Sequence, residues 1–129
     1  ADFLLGVCES WMTPALFLSV TFIAGAVISF FTGSSWGTFA ICIPIAVPMA
    51  YSFTGGQLGT LVYAAVGAVV SGGLFGDHCS PVSDTSVLSS LGAACDHIDH
   101  VRTQLPYALL AAAVSIILWI VVALVGGAA

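Results

Sequence analysis

A chain of 129 residues, 60% hydrophobic and 5% charged, cannot present a water-soluble surface, because soluble domains carry roughly 25% charged residues. Its net charge of −5, with Arg102 the only Lys or Arg, excludes nucleic-acid binding, which needs clustered cations to neutralise phosphates. Mean hydropathy is +1.15, and no charged side chain lies between Glu9 and Asp77. That stretch exceeds the length of one bilayer crossing, about 20 residues, so the chain crosses repeatedly.

The first residues, Ala1-Asp2-Phe3, have no basic n-region and read as part of a longer chain, not as a signal peptide. Pro14 to Phe31 is an apolar block just long enough to span, with Pro14 suited to a helix start and Thr13 to an N-cap. It ends in Thr32-Gly33-Ser34-Ser35-Trp36-Gly37-Thr38, which has no apolar period. Phe39 to Phe53 is apolar but short and carries Pro44 and Pro48, each of which removes a helix hydrogen bond. Thr54-Gly55-Gly56 is a turn.

Leu58 to Phe75 is rich in small residues, and its Gly67 and Ser71 have the spacing that lets helices pack closely in lipid. A polar island from Gly76 to Gln104 follows, with Asp77, Asp84, Asp96, Asp99, Arg102 and all three histidines. Leu105 to Val125 is the cleanest spanning segment, with Tyr107 and Trp119 as interfacial anchors. The positive-inside rule places the Arg102 segment, 96–105, on the cytoplasmic side. Cys8, Cys42, Cys79 and Cys95 stand singly and read as small buried thiols, not as a disulfide framework.

The fold expected is all-α and membrane-embedded. Two full-length spans stand at the ends, and two central segments are broken by polar loops, as discontinuous helices or re-entrant hairpins. Irregular backbone survives at membrane depth only where protein or a watery cavity covers it, and paired breaks point to a transporter's central site. At such breaks, free carbonyls and hydroxyls suit a small hard cation, and a carboxylate adds charge. Asp77, directly after a glycine-rich apolar block, is the first candidate for that carboxylate, with Asp84 second. Burial penalises a bare carboxylate, and either a proton or a cation relieves the penalty, so one group couples two fluxes. Thr32, Ser34, Ser35 and Thr38 supply neutral oxygens from the first break, and Ser80, Ser83, Thr85 and Ser86 from the second. The competing readings are N-capping for the aspartates and ordinary turn chemistry for the hydroxyls. His78 is a candidate proton relay.

Asp96-His97-Ile98-Asp99-His100 reads as a solvated loop in which Asp96 or Asp99 pairs with Arg102, not as a transition-metal site. A role for its histidines in sensing pH stays open, since imidazole titrates near neutrality. An enzyme is excluded on motif grounds. There is no HExxH and no GxSxG, and the consecutive Asp77-His78-Cys79 cannot converge as a triad.

The run Gly72-Gly73-Leu74-Phe75-Gly76-Asp77-His78-Cys79-Ser80-Pro81-Val82-Ser83-Asp84-Thr85-Ser86-Val87-Leu88-Ser89-Ser90 resembles the signature of the NhaC family of sodium/proton antiporters. Cys95 to Tyr107, and Thr32 to Thr38 with Ile43-Pro44-Ile45-Ala46, fit the same pattern. The resemblance implies a multi-pass protein of the bacterial inner (plasma) membrane that exchanges Na+ for H+, with Na+ held at the residues named above and no cofactor. It also implies that residues 1–129 form one transmembrane domain, the C-terminal half of an inverted-repeat transporter. Its partners are then the bilayer and the rest of the transporter, a second subunit or another copy. Relatives of the family leave open cation-coupled exchange of a small carboxylate or amino acid, and an isolated segment would bind without transporting.

Overall fold

The computed structural model describes residues 12–127 together with Phe3, Gly6 and Val7. From Pro14 onward there are five helices: α1 (Pro14–Thr32), α2 (Ser35–Thr54), α3 (Thr60–Cys79), α4 (Asp84–Gly92) and α5 (His97–Gly127). No strand occurs among the described residues. Helix α3 is the hub, packed on α1, α2 and α5, and the α1–α3 pair is the most intimate.

Three helices are long and apolar enough to cross a membrane: Ser35–Thr54, Thr60–Cys79 and His97–Gly126. The C-terminal span stands, α1 runs over the expected bounds as one 19-residue helix, and the two central segments, α2 and α3, are continuous helices. The breaks fall between helices instead of within them.

The local reasons are legible. Helix α2 takes in Ser35-Trp36-Gly37-Thr38, which sequence pattern alone assigned to a loop, and runs unbroken through Pro44 and Pro48. Its 20 residues extend about 30 Å at 1.5 Å per residue, the thickness of the hydrocarbon core. Proline is tolerated in such helices because neighbouring groups re-satisfy the freed carbonyls. At the start of α1, Thr13 holds the N-cap position without a side-chain cap bond. Its carbonyl accepts from the Leu16 and Phe17 amides at 3.0 Å each.

Two small-residue faces of α3 set its packing. On one, a Cβ at Gly76 would stand 2.5 Å from the Ala26 carbonyl oxygen and 2.6 Å from the Phe30 nitrogen, and one at Gly72 would strike the Phe22 carbonyl. Only glycine lets the α1 backbone come this close. On the other, Gly67 lies under the Trp119 ring, and the Trp119 indole N–H donates to Ser71 Oγ at 3.2 Å. Trp119 is thus half-buried against α3, where its N–H finds a partner. Tyr107, by contrast, is exposed. The core below the breaks is apolar, built on Phe17, Leu18, Phe22, Met49, Val62 and Val69.

Candidate functional site

Four helix ends meet at one place. Helix α1 stops at Gly33, whose φ of +68° is left-handed and whose N–H closes onto the Ser29 carbonyl at 2.8 Å. One residue later Ser34 starts α2, its Oγ accepting from the Gly37 amide at 3.3 Å. Helix α3 ends at Cys79, and α4 begins at Asp84. The two breaks touch: a Cβ on Gly33 would lie 2.8 Å from the Val82 carbonyl oxygen. Ser80 Oγ donates to the Phe30 carbonyl at 2.6 Å, which satisfies a group the end of α1 leaves open. One turn deeper, Ser29 Oγ donates to the Gly73 carbonyl at 2.6 Å.

Asp77 sits at the centre of this junction, 5% exposed. It lies in the last turn of α3, so the N-cap alternative does not apply to it. Its Oδ1 accepts from Ser83 Oγ at 2.6 Å and its Oδ2 from Ser35 Oγ at 3.4 Å. One hydroxyl therefore comes from each break. Ser83 Oγ also lies 2.7 Å from Thr85 Oγ1, and Thr85 Oγ1 reaches the Asp77 backbone carbonyl at 3.4 Å. The N-terminal ends of α2 and α4, carrying partial positive charge, lie on the carboxylate's side of the junction. The C-terminal ends of α1 and α3 bring carbonyl oxygens.

The other candidates separate by geometry. Ser86 is buried and donates to the His78 carbonyl at 3.1 Å. Thr38 is buried and donates to the Ser34 carbonyl at 2.9 Å, while Thr32 is exposed and turns back onto the Ile28 carbonyl at 2.8 Å. Asp84 is exposed at the start of α4, where its Oδ1 accepts from the Thr85 amide at 2.9 Å. His78 Nδ1 lies 2.7 Å from the Leu74 carbonyl, which only accepts, so Nδ1 carries a hydrogen there. Ser29, Gly33 and the Phe30 carbonyl belong to the junction and were missed by sequence reasoning. The signal that would have found them is the second small-residue pair, Gly72 and Gly76.

Farther along the island, Asp96 and His97 make hydrogen bonds that hold helix ends together. Asp96 Oδ1 accepts from the Ile98 and Asp99 amides at 2.9 and 3.3 Å, capping α5. The stretch read as a loop is thus the first turns of a helix, because its aspartate supplies the cap. His97 Nε2 donates to the Pro81 carbonyl at 2.6 Å, and its Nδ1 lies 3.2 Å from Ser90 Oγ, which ties the α4 segment to α5. Among the described residues no three His, Cys, Asp or Glu side chains gather as a metal site. Cys42 and Cys79 are free and buried, whereas Cys95 is free but exposed, because it falls in the short link between α4 and α5.

The family model of the Na+/H+ antiporter family matches residues 2–124. The chain belongs to that family. Family members are multi-pass membrane transporters, and this chain has three helices long and apolar enough to cross a membrane. It is 52% identical over 110 residues to an uncharacterized protein of Haemophilus influenzae, covering 84% of this chain and 20% of that one. It is 36% identical over 114 residues to the malate-2H(+)/Na(+)-lactate antiporter of Bacillus subtilis, covering 88% and 23%. With the Na(+)/H(+) antiporter NhaC of Alkalihalophilus pseudofirmus it shares 32% identity over 113 residues, again 88% and 23%. The chain thus spans about a fifth of the length of these relatives. No solved structure matches it.

Proposed function

We propose that this chain forms the ion-binding part of a secondary transporter that exchanges Na+ for H+, with Asp77 as the exchanging carboxylate. The observation that carries this reading is the buried Asp77 flanked by Ser83 from one break and Ser35 from the other. Desolvation makes a bare carboxylate costly there. A proton neutralises Asp77 directly. Na+ does so electrostatically, and Ser35, Ser83 and the carbonyls of the α1 and α3 ends replace water around it, as carbonyl oxygens do in ion filters. Each occupant removes the site for the other, so the fluxes are coupled through one group.

In this reading the adjoining breaks, Gly33-Ser34 and Ser80 to Ser83, are the discontinuities of one repeat. A second, inverted repeat in the rest of the transporter completes the site. Asp77→Asn in the intact transporter, reconstituted in proteoliposomes, tests the assignment. Na+-driven proton flux should vanish; unchanged flux would remove Asp77 from the mechanism.

A second reading, cation-coupled exchange of a small carboxylate, is favoured by the likeness to a malate/lactate antiporter. Arg102, the sole Lys or Arg, is exposed on α5, so an anion would have to rest on helix N-termini. Exchange of cations alone asks less of these residues. Labelled malate counterflow by the same proteoliposomes separates the two.

A further inference from the structure

Beside the junction, the end of α3 with α4 and α5 borders an open cavity of about 150 Å³ lined by His78, Thr85, Ser86, Ser89, His100 and Gln104, of which His78, Thr85 and Ser89 are exposed. Every one of these side chains donates or accepts hydrogen bonds, and none is a carboxylate. The volume holds several waters, and the lining offers each of them polar partners. Thr85 belongs to both the cavity and the junction.

The hydroxyl order between cavity and carboxylate has one sense. Ser83 commits its hydrogen to Asp77 Oδ1 at 2.6 Å. At the 2.7 Å contact between the two hydroxyls, Thr85 must therefore be the donor and Ser83 the acceptor. That leaves the lone pairs of Thr85 Oγ1 available to a donor from the cavity. The sequence cavity water, Thr85, Ser83, Asp77 is a continuous inward line of donors.

We propose that this cavity is the vestibule through which protons reach Asp77, and that Thr85 and Ser83 form the relay across its inner wall. The proposal rests on Asp77 being the exchanging carboxylate. A proton arriving on a cavity water bonds to Thr85 Oγ1 as the Thr85 hydrogen passes to Ser83 Oγ. The Ser83 hydrogen passes in turn to Asp77 Oδ1, and each hydroxyl ends with one hydrogen, as it began.

The test uses the intact transporter in proteoliposomes and two readouts, Na+-driven proton flux and isotopic Na+/Na+ exchange at fixed pH. Only the first needs a proton path, whereas Asp77→Asn should lose both. Thr85→Val keeps the side-chain shape and removes the relay hydroxyl. Proton flux should fall about a hundredfold, the low end of what a positioned proton-transfer group contributes, with Na+/Na+ exchange retained. Ser89→Cys, in a Cys95→Ser background, should react with a water-soluble methanethiosulfonate and then show the same split. Leu91→Cys, on an exposed part of α4 outside the cavity, should react without effect. The proposal is overturned if labelled Ser89→Cys keeps full proton flux, or if the reagent cannot reach it. Parallel loss of both modes in Thr85→Val would also overturn it, by making Thr85 a Na+ ligand. Failure of the Asp77 reading is distinct, because proton flux would then survive Asp77→Asn itself.

Discussion

Asp77 was marked by the sequence because it ends a long uncharged stretch, and an ionisable side chain at membrane depth is functional by default. Its partners were not marked in the same way. Eight hydroxyl residues stood as equals in the two breaks, and the fold brings only Ser35 and Ser83 to the carboxylate oxygens. Ser83→Ala removes a charge-assisted bond of about 1.5 kcal/mol, so the Na+ concentration for half-maximal exchange should rise about tenfold. Ser35→Ala, at the longer 3.4 Å contact, should have the smaller effect in the same assay. Asp96 makes the opposite case. It caps α5 and touches nothing at the junction, and asparagine caps as well as aspartate. Asp96→Asn should leave exchange nearly intact, whereas Asp96→Ala should cost about 1 kcal/mol of stability, read as a lower unfolding temperature in detergent.

At the level of helices, the apolar blocks were legible, but their ends were not. Ser35 to Thr38 looked like loop because serine, glycine and threonine are turn residues. They become the first turn of α2 because Ser34 caps that helix and Ser35 and Thr38 are buried. The close fit of α1 on α3 and of Gly33 on Val82 fixes which ends meet. Gly33→Ala should be strongly destabilising. Left-handed backbone costs a non-glycine residue about 1–2 kcal/mol, and the new Cβ would also press on the Val82 carbonyl at 2.8 Å. Gly55 has a φ of +70° but open space around it, so Gly55→Ala should show the conformational cost alone. Gly76→Ala should cost about 1–3 kcal/mol by overpacking, since backbone cannot move aside as a flexible side chain would. Thermal unfolding of the three purified variants orders them; equal losses at Gly33 and Gly55 would show that the contact with Val82 carries no strain.

Over the whole molecule, the outward surface is apolar, with Leu110, Ile117 and Val125 all more than half exposed on α5. Such a surface suits contact with lipid or protein rather than water. Ile117→Lys, near the middle of the apolar part of α5, should therefore cost about 2.5–3.5 kcal/mol of membrane insertion. A carbonate-extraction assay would register that as a smaller integrated fraction. The solvent, the helical class and the place of Asp77 at the end of a long uncharged stretch were legible in sequence alone, because hydropathy and the spacing of charges act through sums over many residues. Which hydroxyls reach Asp77, and that the two breaks adjoin, only the tertiary structure decided. Ser35 and Asp77 are 42 residues apart, and their contact depends on fractions of an ångström conceded by Gly72 and Gly76 where α1 crosses α3.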